Sequence, residues 1–101
     1  MPAYVITDIV ITDPDVYDQY RKLGPPIVEK FGGEYLARGG DVQVLEGSPS
    51  PNRTVILKFE CVARVREWLD SPEYREARKL RHKSTITRMY MVDGIDGAVP
   101  A

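Results

Sequence analysis

The sequence predicts an α+β domain of the split βαβ, ferredoxin-like kind, with a four-stranded antiparallel sheet. Three observations carry that prediction. Segments rich in β-branched and aromatic residues recur at 3–11, 34–46, 53–60 and 84–94. Between them, the stretches from Pro14 to Phe31 and from Val62 to His82 carry apolar residues at three- and four-residue spacing. The order is therefore strand, helix, strand, strand, helix pair, strand, the βαββαβ arrangement. A chain of 101 residues suits one such domain, over 1–94, with 95–101 as a C-terminal tail.

The first strand, AYVITDIVI, is apolar at nearly every position, as expected of a central strand buried on both faces. Asp13 followed by Pro14 starts a helix, because the carboxylate caps free N–H groups and proline is preorganised for the first helical position. Tyr17, Tyr20, Leu23, Ile27 and Phe31 then form one core-facing stripe. Pro25 and Pro26 each remove an intrahelical hydrogen bond, which predicts a kink or restart near Gly24. Gly32 and Gly33 end the helix.

EYLARGGDVQVLE reads as a second strand interrupted at Gly39 and Gly40, where glycine inside a strand marks a bulge or a close backbone approach. Regular alternation puts Arg38 on the side of Leu36, opposite Tyr35. SPSPN at 48–52 supplies the turn into RTVILKFE. VARVREWLD groups Val62, Val65 and Leu69, with Trp68 beside them as a core or dimer anchor. Ser71-Pro72-Glu73 opens the next helix, in which Tyr74, Ala77 and Arg81 share a side. Helices covering one face of the sheet leave the other apolar and in need of cover, which predicts a homodimer packed sheet to sheet.

The chain resembles the domain-of-unknown-function family numbered 1330, DUF1330, of the dimeric α+β barrel superfamily. The resemblance rests on YxI at 4–6, DPxxYxxY at 13–20, FGGEYLARGG at 31–40, RTVILKF at 53–59, EWLDSPEY at 67–74 and VDG at 92–94. It implies a ferredoxin-like protomer in a dimer whose sheets face each other, with no established biochemical role. The superfamily includes cofactor-free monooxygenases, haem-handling enzymes and small-molecule isomerases, so the fold alone points many ways.

Composition narrows the function classes. With 14 basic and 15 acidic residues the formal net charge is -1, so no global field draws in nucleic acid or an anionic membrane. REARKLRHK at 75–83 concentrates cations near a helix end, where they are stabilising, and has no aromatic residue to stack bases. The N-terminus lacks a basic leader region and no run is long enough to span a bilayer. A single cysteine, Cys61, fits a reducing compartment, and a cytoplasmic location is expected. One histidine, His82, excludes a multi-histidine metal site within a protomer, and no cofactor is expected.

The candidate ligand-binding residues are Arg38, Arg81, Tyr17, Gly39 and Gly40; the candidate catalytic residues are His82 and Tyr74. Guanidinium groups match carboxylate or phosphate two bonds at a time, and glycines let a ligand approach the backbone. Arg38 either meets a small anion or pairs with Glu34, Glu46 or a carboxylate of a second copy. An inward Arg81 needs a partner, of which a bound anion is one. His82 has the pKa range of a general base, against the alternative of an exposed residue at a helix end. Tyr74 and Tyr17 can donate hydrogen bonds while their rings pack. Together these predict a cleft between sheet and helices for a small anionic or carbonyl-bearing molecule, with cofactor-free proton transfer or isomerisation as the chemistry that such residues suit. The alternative is a non-catalytic interaction module whose motif residues hold the dimer together.

Overall fold

A computed structural model describes residues 1–47 and 53–95. The elements follow the predicted order: β1 (Ala3–Ile11), α1 (Pro14–Lys30), β2 (Glu34–Arg38), β3 (Arg53–Phe59), α2 (Val62–Asp70), α3 (Pro72–Ser84) and β4 (Thr85–Asp93). The strands form one antiparallel sheet in the order β2-β3-β1-β4. Among the described residues, no helix is long and apolar enough to cross a membrane.

Local chemistry sets the helix limits. The Asp13 carboxylate accepts from the Val16 N–H at 3.2 Å, and the Ser71 hydroxyl accepts from the Tyr74 N–H at 3.2 Å, so both serve as N-caps in front of a proline. At the end of α1, Gly32 has φ +78°. The Gly32 and Gly33 N–H groups close back on the Glu29 and Val28 carbonyls, both at 2.9 Å, which is a Schellman ending.

The helix runs through Pro25 and Pro26 without the predicted restart. Two features make this tolerable. Gly24 has no Cβ to clash with the ring of Pro25, and the carbonyls that lose their donors belong to the exposed Arg21 and Lys22, within reach of water. The core stripe also differs from the one predicted. Leu23 is 48 % exposed, and Gly24 and Val28 take the inward positions beside Tyr17.

The second strand is shorter than the predicted 34–46. Gly39, at φ +76°, turns the chain out of the sheet, and Val42, Val44 and Leu45 lie exposed. The predicted turn at 48–52 and residues 96–101 of the predicted tail lie outside the described residues.

The core lies between the sheet and the helices. Odd-numbered residues of the central strands, Val5 and Ile9 with Val55, Leu57 and Phe59, pack against Val28, Val65, Trp68 and Tyr74. The Trp68 ring joins Phe59 at 5.2 Å and Tyr74 at 4.4 Å between centroids. On the opposite face β1 is not buried as predicted. Tyr4, Ile6 and Asp8 are half-buried in the single chain and Val10 is exposed. Cross-strand registry places Ile6 between Ile56 and Tyr90 there, and Val10 beside Ile86, so this face carries an uncovered apolar patch, with Lys58, Asp8 and Arg88 beside it.

Gly33 shows how tightly the helix end meets the sheet. A Cβ at this position would sit 2.7 Å from Val28 Cγ1 and 2.8 Å from the Phe59 ring. Gly33→Ala is therefore expected to destabilise the fold by about 1–3 kcal/mol through overpacking, read as a lower urea midpoint with an unchanged m-value.

Candidate functional site

A cavity opens between the inner face of the sheet and α1. Its floor is Thr7 and Ile9 from β1 with Val55 and Leu57 from β3; Tyr17, Tyr20, Gly24 and Val28 of α1 form one wall. Trp68 of α2 and Arg81 of α3 also line it. The space counted out to the open mouth is about 470 Å³, but the room that water-sized molecules can occupy inside is only about 40 Å³. The smaller figure is the one that limits a ligand, and it corresponds to roughly three waters. The interior is a slot that takes a group of a few heavy atoms.

Arg38 reaches this slot because of a bulge, which lies at Leu36 and not at the glycines. The pairing runs Tyr35 opposite Leu57, then Ala37 opposite Ile56 and Arg38 opposite Val55, so one residue of β2 is left over. The extra residue reverses the alternation. Arg38 thus joins Tyr35 on the helix side, contrary to the opposite-face placement that regular spacing predicts, and its guanidinium lies over the Tyr35 ring at 4.4 Å. Neither Glu34 nor Glu46 pairs with it.

Gly39 serves a neighbouring arginine. Its N–H bonds to the Thr54 carbonyl at 3.3 Å, and a Cβ there would lie 2.3 Å from Arg53 Nη1. Close backbone approach was the predicted role of the glycine pair, but at Gly39 the group that approaches is the Arg53 guanidinium. Gly40 has open space around it and is not brought to the cavity. Arg53 itself escaped prediction. Its signal was in the sequence: it is in step with Val55, Leu57 and Phe59, the inward positions of the same strand.

Arg81 is 4 % exposed and turned inward, as its spacing from Tyr74 and Ala77 predicts. Among the described residues its one side-chain partner is the neighbouring His82 ring, at 3.5 Å. Four arginines line the cavity, Arg21, Arg38, Arg53 and Arg81, and among the described residues no acidic one does. Arg21 is paired with Asp18 at 2.8 Å; among the described residues no ion pair joins the other three. Among the same residues, the buried side-chain polar atoms without a protein partner are Arg53 Nε, Arg81 Nε and Trp68 Nε1. All three are donors, and all three belong to this lining.

Two of the phenols near the slot, Tyr20 and Tyr35, hold their protons more firmly than usual. Tyr20 and Tyr74 share a hydrogen bond of 2.8 Å. Burial first, and then the adjacent Tyr74 phenol, push the Tyr20 pKa well above its ordinary value, against the pull of the Arg81 charge. Burial also raises Tyr35, with the Arg38 cation partly offsetting it. Tyr74 is wholly buried behind Tyr20 and does not line the cavity, whereas Tyr17 does. His82 is exposed and outside the lining. Its pKa is lowered by partial burial and by Arg81 and Arg78, which suits a neutral imidazole at the surface. Cys61 is the half-buried N-cap residue of α2 and makes no capping bond through its side chain.

The sequence profile of the domain of unknown function DUF1330 matches residues 2–95. The chain belongs to the DUF1330 family. No curated protein matches it. Among solved structures, a protein of unknown function from Rhodopseudomonas palustris is similar at TM-score 0.80 and 20 % identity, over 94 % of this chain and 83 % of that one. A dimeric ferredoxin-like protein of unknown function from Jannaschia sp. CCS1 is similar at TM-score 0.77 and 10 % identity, over 93 % of this chain and 100 % of that one. SnoaB, a cofactor-independent oxygenase from Streptomyces nogalater, is similar at TM-score 0.68 and 7 % identity, over 96 % of each chain. At such identities these likenesses establish the ferredoxin-like α+β fold of this DUF1330 protein and not its chemistry.

The raised Tyr20 pKa has a consequence for stability. Above the ordinary tyrosine value of 10.0 the unfolded chain releases this proton while the folded chain retains it. The unfolded state then binds fewer protons, so stability falls as pH rises through that range. The urea midpoint of the wild type is expected to fall as pH rises above about 10, and Tyr20→Phe to flatten that slope.

Proposed function

We propose that this DUF1330 protein is a homodimer in which each protomer binds a small organic anion in the slot between sheet and helices. Arg38, Arg53 and Arg81 supply the charge and the Trp68 indole N–H a further donor. The observation that carries this reading is the coincidence of the three unpartnered buried donors with one cavity whose lining has no carboxylate. Leaving a buried donor without an acceptor costs about 1–3 kcal/mol, and more for a charged group. An oxyanion provides acceptors to all three at once.

Binding without proton abstraction by the protein is favoured over proton transfer or isomerisation. Among the described residues the lining holds no carboxylate, imidazole, thiol or amine to act as a base, and the raised Tyr20 pKa makes its phenolate scarce near neutrality. The alternative in which Arg38 holds two copies together is weakened by the bulge, which takes that side chain to the helix side. Dimerisation belongs instead to the outer sheet face, where Ile6, Ile56, Ile86, Tyr90 and Val92 meet. The dimeric state of the ferredoxin-like neighbours supports this, and the lone Cys61 fits the expected cytoplasmic setting.

Two measurements test the proposal. In a thermal-shift series with acetate and inorganic phosphate, the wild type is expected to gain stability, by about 2.7 kcal/mol at a hundredfold excess over Kd. Arg81→Met is expected to be about 1–3 kcal/mol more stable than the wild type without ligand and to have lost the response. A less stable variant together with a silent wild type would overturn anion binding. For the dimer, sedimentation should give a dimer mass for the wild type and a monomer mass for Ile56→Lys, because a charge at the centre of the apolar face opposes its burial.

A further inference from the structure

The slot is not isolated. A second depression, lined by Ile11, Pro14, Tyr17, Asp18, Arg21 and Arg53, adjoins it. Tyr17, Arg21 and Arg53 line both spaces, so the two adjoin at these side chains. They differ in size and chemistry. The inner slot has about 40 Å³ of room for water-sized molecules, whereas the outer groove has about 240 Å³. Donors without acceptors are buried in the slot. In the groove, Asp18 is already engaged by Arg21 and Lys22, at 2.8 and 3.4 Å, and the remaining lining is Ile11, Pro14, Tyr17 and the Arg53 shared with the slot.

From this pairing we infer that the ligand is a monocarboxylic acid with a compact apolar body of about one ring. Its carboxylate enters the slot and its body lies in the groove against Ile11, Pro14 and Tyr17. The inference rests on the anion-binding reading above and adds the second half of the ligand. A carboxylate has three heavy atoms and fills room for roughly three waters, so nothing larger follows it inward. A body left in the groove meets apolar surface and a tyrosine face, which favours a flat hydrocarbon group over a polar one. Asp18 sets the charge limit. It already engages Arg21 and Lys22, so the groove offers a second anionic group no free cation beyond the Arg53 that meets the first, and the class is monoanionic. The Arg53 guanidinium, 5.7 Å over the Tyr17 ring, stands at the junction and is positioned to meet the carboxylate.

The test uses isothermal titration calorimetry with acetate, 3-phenylpropanoate and 3-phenylpropan-1-ol on the full chain. The phenyl acid is expected to bind at least about tenfold more tightly than acetate, and the alcohol not to bind. In Ile11→Glu, at the half-buried end of β1, the advantage of the phenyl acid over acetate should be lost. Equal affinity of acetate and the phenyl acid in the wild type would overturn the two-part ligand and leave anion binding intact. Failure of both acids to bind would overturn anion binding itself, and with it this inference. Binding of the alcohol as tightly as the acid would show that the groove acts alone, and would also overturn the inference. The wild-type comparison stands whether or not Ile11→Glu folds.

Discussion

The Arg81 guanidinium, held in the interior with no carboxylate beside it, is the constraint around which the rest of the molecule is arranged. Taking a charge of this kind out of water costs several kcal/mol unless opposite charge or hydrogen bonds replace the solvent. Around it the Tyr20 and Tyr74 phenols bond to each other, and Trp68, whose indole N–H has no partner among the described residues, lines the same cavity. The helix is nevertheless anchored firmly at this residue. The Arg81 carbonyl accepts from the Thr85 hydroxyl at 2.6 Å, and the Ser84 hydroxyl donates to the Leu80 carbonyl at 2.7 Å. Backbone and side chain are thus treated oppositely, the first fully bonded and the second left with capacity. A group kept in that state is what the proposed anion site draws on.

The bulge at Leu36 settles which of two surfaces Arg38 belongs to. In a regular strand a side chain three residues from Tyr35 faces the other way, and here that is the outer face of the sheet, where the apolar side chains meet. A cation there would lie among Ile56 and its neighbours and oppose their burial. One inserted residue moves it to the cavity mouth and leaves Leu36, 51 % exposed, at the edge of the sheet. Gly39 then completes the rearrangement, since only a residue without Cβ allows Arg53 so close to the turning backbone. Bulge, glycine and two arginines act as one local device that gathers positive charge on the inner face.

The fold was legible in the sequence because its determinants are local. Asp13-Pro14 and Ser71-Pro72 state where helices begin, Gly32 where one ends, and Tyr74, Ala77 and Arg81 declare a buried helical stripe through spacing alone. The site was less legible, for physical reasons. Arg38 was picked out by its residue type, but its direction depends on a bulge that is a property of the β2 and β3 pairing and not of either strand. Arg53 was hidden because a charged residue that opens a strand reads as its solvated end, although its phase matched the inward positions. His82 attracted a catalytic reading by titration range, yet a one-residue step along α3 from the buried Arg81 turns it to solvent. Two prolines within α1 suggested a break that did not occur, because the lost hydrogen bonds fall on the solvent side.

The two faces of the sheet assign its two tasks to alternate residues of the same strand. In β1, Ile6 and Asp8 lie on the outer surface while Thr7 and Ile9 line or floor the cavity, and β3 divides Ile56 from Val55 and Leu57 in the same way. Assembly through the outer face would therefore leave the cavity unobstructed while stiffening the strands that form its floor. Such a scaffold holds the same shape whatever the inner residues are. That accounts for a fold shared with proteins at 20 % identity and below, one of them an oxygenase, without a shared set of reacting groups. The chemistry of this chain then rests on a small number of inner-face side chains. Three of them are arginines that no ion pair joins among the described residues, and the proposed acidic ligand would complement them.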